Sequence, residues 1–154
     1  MYGNWLAAPR NADIFNATEK ILIRQTGDSI IAVIVENGFI ARDNLHIILP
    51  QNPLFNLKYV LAIVNSKLTD FIYTTMNPEK GEALAQVKKQ HVENLILRDI
   101  SISEQQPFIT LVDKILAEKK AGNDTRALER EIDVLVYGLY GLTEDEIRII
   151  EGGK

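Results

Sequence analysis

The sequence predicts an α+β fold: a mostly antiparallel sheet with one packed helix, followed by a C-terminal helical hairpin and a short helix. Short runs of β-branched residues between turn residues dominate the first 50 positions. From position 56 onward, apolar residues recur every three to four positions, as on one face of a helix. A chain of 154 residues suits one domain with a helical appendage. We therefore expect an α+β region over residues 1–100 and a helical region over 101–154.

The first part of the chain predicts strands. Residues 21–23 and 30–35 are rich in β-branched side chains, which favour the pleated sheet. Asn37-Gly38 is typical of a two-residue hairpin turn, because a type I′ turn needs residues that tolerate positive φ. This turn is expected to join residues 30–35 to a strand over 39–41. A further strand is expected over 45–49.

A change of period after residue 50 predicts a helix. Asn56 is a suitable N-cap, and an apolar stripe follows it, formed by Leu57, Val60, Leu61, Val64 and Leu68. Residues 71–75 suit a strand or a strand-like exit, and 77–81 form a polar loop containing Pro and Gly. Residues 86–97 fit either a short helix or an extended segment.

The last third of the chain predicts three helices. Ser103 and Gln106 have capping-box spacing before a helix that ends near Gly122. A second helix begins at Asp124, and its apolar stripe contains Leu128, Ile132, Leu135, Val136 and Leu139. Thr143 and Glu146 form another capping box, which opens a short helix ending at 152–153. Tyr137 and Tyr140 lie near the apolar stripe and are expected in the core of the hairpin.

Charge and composition restrict the functional classes. The net charge is −4, but residues 1–99 contain ten basic and ten acidic residues, whereas 100–154 contain seven and eleven. The acidic excess therefore lies in the helical region. The chain has no cysteine, which excludes disulfides and thiolate chemistry. Because it shows neither a secretory signal nor an 18-residue apolar run, we expect a cytoplasmic protein with no membrane partner.

The sequence shows no catalytic constellation. Asp113, Glu118 and Lys120 have the residue types of a nuclease centre, but they share one strongly helical segment and are expected on a solvated helix face. His46 and His91 are far apart and lack a helix-spaced carboxylate partner, so no metal site is expected. No Gly-x-Gly loop follows a predicted strand. We therefore expect no catalytic residue, metal or cofactor in this chain.

Polar side chains near the predicted strand ends are candidates for DNA contacts. Arg, Asn and Gln can form paired hydrogen bonds with guanine and adenine edges, whereas Lys favours phosphates. The base-reading candidates are Arg24, Gln25, Arg42, Asn44 and Gln86, and the phosphate candidates are Lys20, Lys88 and Lys89. The alternative is that these residues are ordinary surface side chains without a binding role.

Four stretches carry a resemblance to a known family: KILIRQ (20–25), LAIVNSKL (61–68), QVKK (86–89) and 128–151, which includes IDVLVYGLYGLTEDEI. In this order they resemble the TaqI-type C-terminal specificity domain, also called a target-recognition domain. That family occurs at the end of large adenine-N6 methyltransferases and fused type II restriction-methylation enzymes. One departure is ENLILR (93–98), where relatives tend to have a proline.

The resemblance implies a non-catalytic domain of a larger enzyme that recognises a sequence in double-stranded DNA. An upstream methyltransferase domain of the same parent chain would bind S-adenosylmethionine and flip the target adenine. That domain could also supply phosphate affinity, which reconciles the chain's net charge with DNA binding. The competing interpretation is a protein-interaction or scaffold module that docks a partner through its helical tail.

Overall fold

The structure, a computed structural model, describes residues 12–39, 41, 44–77, 79, 81 and 85–152. These residues form three strands and seven helices, which confirms the α+β fold. In chain order the elements are α1 Ala12–Asn16, β1 Glu19–Arg24, β2 Ala32–Glu36, β3 Leu45–Ile48, α2 Leu57–Val64, α3 Lys67–Met76, α4 Lys89–Glu93, α5 Ile102–Lys120, α6 Arg126–Tyr140 and α7 Glu144–Ile150.

The sheet is built around β1, which pairs antiparallel with β2 on one side and with β3 on the other. Ile21 lies opposite Ile34 of β2 and Ile48 of β3. The apolar run Ile21, Leu22 and Ile23 is almost completely buried, so both faces of the central strand are covered. Consecutive apolar residues are typical of a strand buried on both faces.

The predicted Asn37-Gly38 hairpin is wrong. These residues do form a turn, and Gly38 has a φ of +85°. However, Phe39 and Ala41 are not in a strand, Ile40 lies outside the described residues, and the next described strand, β3, lies at the opposite edge of the sheet from β2. The apolar run of β1 takes the centre because that position buries it most completely, and β2 and β3 then flank it. Ala12–Asn16, in the first part of the chain where we expected strands, is a short helix that the sequence analysis did not predict.

Two helices replace the predicted helix and strand over residues 57–75. The Asn56 N-cap is confirmed, because its Oδ1 accepts a hydrogen bond of 2.8 Å from Lys58 N. The strand predicted over 71–75 is wrong: Ser66 begins a second helix, α3, and its side chain accepts from Thr69 N. Because Ser is a favourable N-cap residue, a helix begins after Ser66 and continues through the residues that were expected to be extended.

The Asn65 side chain joins the end of α2 to the free edge of β2. Its Nδ2 donates to Ala32 O and its Oδ1 accepts from Ala32 N, both at 2.9 Å. The Asn65 amide thus makes the two backbone hydrogen bonds that a neighbouring strand would make with Ala32. The helix is thereby fixed to the sheet by hydrogen bonds as well as by apolar packing.

The helical region agrees with the predicted three helices, with one corrected boundary. The first capping box is formed by Ser101 and Glu104 rather than Ser103 and Gln106, so α5 begins two residues earlier. Glu104 is the better partner because its carboxylate accepts from Ser101 N at 2.9 Å and adds negative charge to the first turn. The Thr143 and Glu146 capping box of α7 is confirmed. Tyr137 is buried and Tyr140 half-buried, as expected.

Gln105 and Tyr59 attach α5 to the α+β region. Gln105 is fully buried, and its amide accepts from Asn56 N at 2.9 Å while donating to Leu54 O and Ile100 O at 2.6 and 3.0 Å. Tyr59 of α2 is also fully buried and donates to a backbone carbonyl, Arg98 O, at 2.8 Å. Burial raises the pKa of Tyr59 to about 12, which keeps its hydroxyl a donor at neutral pH.

Asp133 attaches α6 to the first turn of α3. It is 7% exposed, and its Oδ1 accepts from Lys67 N at 2.9 Å. Glu151 adds a second tie, because it pairs with Lys67 Nζ and accepts from Tyr137 Oη at 2.8 Å. An acceptor is needed at a helix N-terminus, where backbone N–H groups lack partners within the helix. The helical hairpin is therefore anchored on α3 by polar contacts.

Two substitutions at Asp133 distinguish the effect of its acceptor oxygen from the effect of its negative charge. We expect Asp133→Ala to lower the free energy of unfolding by about 1–3 kcal/mol, since Lys67 N–H loses its partner in a buried place. Asp133→Asn keeps an acceptor oxygen and should retain most of the stability. Urea denaturation of the three proteins measures the difference. Equal losses in both variants would show that the hydrogen bond contributes nothing.

Wild type and Asp133→Asn should also differ in how their stability depends on pH. Burial raises the pKa of Asp133, and the hydrogen bond from Lys67 N opposes that shift. The folded protein therefore holds this proton more tightly than the unfolded chain does, so ionisation costs stability. As pH rises from about 3.9, the ordinary aspartate pKa, through the raised folded value, wild type should lose stability relative to Asp133→Asn. Parallel pH profiles would contradict this.

Candidate nucleic-acid interface

One end of the sheet gathers polar residues from three separate segments. Arg24 ends β1, Gln25 follows it, and Asn44 immediately precedes β3. Because β1 and β3 run antiparallel, the end of one lies beside the start of the other, and Gln25 N donates to Asn44 O at 3.2 Å. This juxtaposition follows directly from the sheet topology.

The segment 85–87 adds Gln86 to the same place. Thr26 and Gln86 form an isolated antiparallel bridge. Backbone hydrogen bonds of 2.8 Å flank it on both sides, from Gly27 N to Ala85 O and from Val87 N to Gln25 O. Segment 85–87 therefore continues the strand pairing beyond β1. We call Arg24, Gln25, Asn44 and Gln86 the strand-end cluster.

His46 fastens this segment to the sheet from the other side. Its Nε2 lies 2.6 Å from Val87 O. A carbonyl oxygen only accepts, so Nε2 carries the proton in this contact. The histidine is thus a structural donor between β3 and segment 85–87.

The side chains of the strand-end cluster have no hydrogen-bond or ion-pair partner among the described residues. Arg24, Asn44 and Gln86 are exposed and Gln25 is half-buried. The Arg24 guanidinium lies over Gly27, where an added Cβ would come within 2.4 Å of Nη2. A glycine with a φ of +142° therefore provides the room for this guanidinium. Within the described residues, the cluster therefore presents side-chain donors and acceptors that the fold does not use.

Lys20 departs from its prediction as a phosphate-binding residue. It is fully buried, and its Nζ donates to Ile14 O and Phe15 O at 3.0 and 3.2 Å. These carbonyls belong to the last turns of α1, where a cation is favoured. Lys20 therefore anchors α1 on the sheet, and we remove it from the phosphate candidates. Sequence alone could not separate it from an exposed lysine, because the helix that covers it was not predicted.

The other phosphate candidates remain on the surface beside the cluster. Lys88 pairs with Glu79 at 2.6 Å, and Lys89 pairs with Glu93 of its own helix at 2.7 Å. The hydrogen bond from Lys88 holds the pKa of Glu79 below its usual range. Arg42, the fifth base-reading candidate, lies outside the described residues.

Sequence analysis missed two residues that support the cluster. Tyr73 of α3 is buried, and its hydroxyl faces Gln86 O and Gly27 O at 3.3 and 3.5 Å. Asn77, also buried, donates from Nδ2 to Tyr73 Oη at 2.6 Å. Tyr73 and Asn77 are spaced i and i+4, the spacing of neighbours on a helix face, but the strand predicted over 71–75 obscured that signal.

Asp113 and Glu118, two residues of the nuclease-like set, each have another partner in the structure. Asp113 pairs with Lys58 at 2.6 Å, and Glu118 accepts from Asn123 at 2.6 Å, on or beside one helix. Within the described ranges, no group of three or more His, Asp or Glu residues is placed to hold a metal ion. None of the described helices is both long and apolar enough to cross a membrane.

Comparison with known proteins identifies the family. The sequence profile of the TaqI-like C-terminal specificity domain matches residues 2–96, which is more than half of the chain. The match includes the sheet, α1–α4 and the strand-end cluster, whereas residues 128–151, which also carried the resemblance, lie beyond it. No curated protein matches the chain. The chain belongs to the family of TaqI-like C-terminal specificity domains.

Proposed function

We propose that this chain reads the base sequence of duplex DNA through the strand-end cluster. As a specificity domain, the chain serves DNA sequence recognition in restriction-modification and is not itself the catalytic domain. The single observation that carries the assignment to the cluster is that strand pairing brings the backbones of Arg24, Gln25, Asn44 and Gln86 together at one end of the sheet. Their side chains have no partner in the described part of the chain.

The chemistry of the cluster suits base edges. Arginine can donate two parallel hydrogen bonds to guanine O6 and N7, and Asn or Gln can pair with adenine N6 and N7. Backbone hydrogen bonds hold Gln25, Asn44 and Gln86 in fixed relation, so little ordering is needed on binding. Arg42 lies two positions before Asn44 in sequence and remains a candidate on that ground.

Lys88 and Lys89 are suited to position the duplex through its phosphates. Both lysines are exposed, and solvent screening leaves surface ion pairs of this kind little stabilising effect. A phosphate can therefore take the place of either carboxylate at small cost. Two such lysines give weak affinity, which fits a domain that works beside a second DNA-binding part.

The parent enzyme is proposed to supply that second part. We infer an upstream adenine-N6 methyltransferase domain in the same chain, which would bind S-adenosylmethionine and the flipped base. In this arrangement the present chain selects the site, and its acidic helical region faces away from the phosphates. Docking of a separate protein through the helical tail is the competing function. The buried stripe of that tail packs on α2 and α3 of the same chain, which supports a bracing role instead.

Alanine substitutions in the strand-end cluster should change sequence preference one base pair at a time. For each true base reader among Arg24, Gln25, Asn44 and Gln86, we expect a loss of about 1–3 kcal/mol on the cognate site. Preference at a single position should relax, because the lost side chain reads one base pair. Methylation by the parent enzyme on a library of site variants measures both effects.

Arg148→Ala is the matched control, because Arg148 is an exposed arginine on α7 that pairs with Asp145 of the same helix. It should leave the preference unchanged. If all four cluster variants keep the wild-type preference, the reading face lies elsewhere.

Lys88→Ala and Lys89→Ala should behave differently from the cluster variants. Each should weaken all DNA sequences alike and reduce the salt dependence of binding by about one counterion, since a phosphate contact carries no sequence information. Titrations of the parent enzyme at several salt concentrations give the slope. Lys120→Ala, at the end of α5, serves as the control. A changed base preference with an unchanged slope would argue against phosphate contacts.

A further inference from the structure

Tyr73 lies directly beneath the strand-end cluster. Its ring is 3% exposed and packs edge-on against His91, with ring centroids 5.2 Å apart. Its hydroxyl faces two carbonyls, Gln86 O at 3.3 Å and Gly27 O at 3.5 Å. These carbonyls belong to the two segments that the Thr26 and Gln86 bridge joins. One side chain of α3 therefore contacts both.

Asn77 determines which way the Tyr73 hydroxyl donates. The Asn77 amide is oriented by Glu79 N, which donates to its Oδ1 at 3.1 Å, so that Nδ2 donates to Tyr73 Oη at 2.6 Å. The tyrosine oxygen thus accepts from Asn77, and its own proton is directed at Gln86 O and Gly27 O. One hydrogen shared between two acceptors is a three-centre bond, which accounts for the two longer distances.

Gln86 is consequently held through both its backbone N–H and its backbone carbonyl. Its N–H donates to Glu79 Oε2 at 3.1 Å, and its carbonyl accepts from Tyr73. The Gln86 side chain itself remains exposed. Such an arrangement fixes the backbone and leaves the amide head available, as precise base reading requires.

We infer that Tyr73, oriented by Asn77, is a positioning residue that sets where Gln86 meets a DNA base. This inference rests on the proposed function. Burial also raises the pKa of Tyr73, so its hydroxyl stays protonated and able to donate at neutral pH. Tyr73 acts through Gln86 and does not itself contact DNA.

Hydrogen exchange of the 154-residue chain tests the positioning without DNA. In Tyr73→Phe the ring packing remains but the donor is lost. We expect about two- to tenfold faster exchange at the Gly27 and Val87 amides, whose hydrogen bonds hold segment 85–87. Asn77→Asp should have the same effect, because a carboxylate accepts the Tyr73 proton and diverts it from Gln86 O. Unchanged exchange at both amides in both variants would overturn the inference.

Tyr59→Phe is the matched control. Tyr59 is also a buried tyrosine whose hydroxyl donates to a backbone carbonyl, but it contacts Arg98 O away from the cluster. This variant should leave exchange at Gly27 and Val87 unchanged relative to global stability. Acceleration of the same two amides in this control would mean that general loosening explains the effect, and would contradict the positioning role.

Base preference in the parent enzyme separates this inference from the proposed function. Tyr73→Phe should relax preference at the same base pair as Gln86→Ala, and the double variant should be no worse than Gln86→Ala alone. If Gln86→Ala relaxes one position and Tyr73→Phe relaxes none, the positioning role is overturned while DNA reading stands. If Gln86→Ala changes nothing, the assignment of Gln86 as a reader fails, and the inference fails with it.

Discussion

The structure depends on the burial of one strand, β1. Its apolar run from Ile21 to Ile23 is covered on both faces and paired on both edges, so the rest of the sheet is arranged around it. A strand of this kind must become polar where it leaves the core, and β1 does so at Arg24 and Gln25. Because both neighbours run antiparallel to β1, its end lies beside the start of β3. The position of the strand-end cluster is thus a consequence of core formation.

The helices give this sheet its support. α2 packs on the sheet and is tied to β2 by the Asn65 amide, while Gln105 and Asp133 attach the C-terminal hairpin to α2 and α3. α3 in turn carries Tyr73, which contacts segment 85–87. These contacts connect the acidic hairpin to α3, and α3 to segment 85–87 at the base of the cluster. We therefore propose that the hairpin supports recognition from outside the DNA interface.

Local sequence patterns predicted most helices and strands. Strand order and the contact between distant segments depend on long-range pairing, which local patterns do not show. The β-branched runs located β1, β2 and β3, and the caps at Asn56 and Thr143 located two helix starts. Asn37-Gly38 predicted the wrong neighbour because strand order depends on which run is most deeply buried. The bridge between Thr26 and Gln86 joins residues far apart in sequence, so no local sequence pattern predicts it. Arg24, Gln25, Asn44 and Gln86 were predicted as base-reading candidates from their hydrogen-bonding chemistry alone. Only the fold shows that they lie close together.

We propose that DNA meets this chain at the strand-end cluster. The most direct measurement is a titration of the isotopically labelled chain, monitored by amide chemical shifts, with the duplex that the parent enzyme selects from a randomised pool. We expect the isolated chain to bind DNA weakly, and fast exchange then lets each shift be followed. We predict shifts concentrated at residues 24–27, 44–46 and 85–89, with little change in α5, α6 and α7. Shifts confined to those three helices would contradict the account and favour an interaction surface on the helical tail.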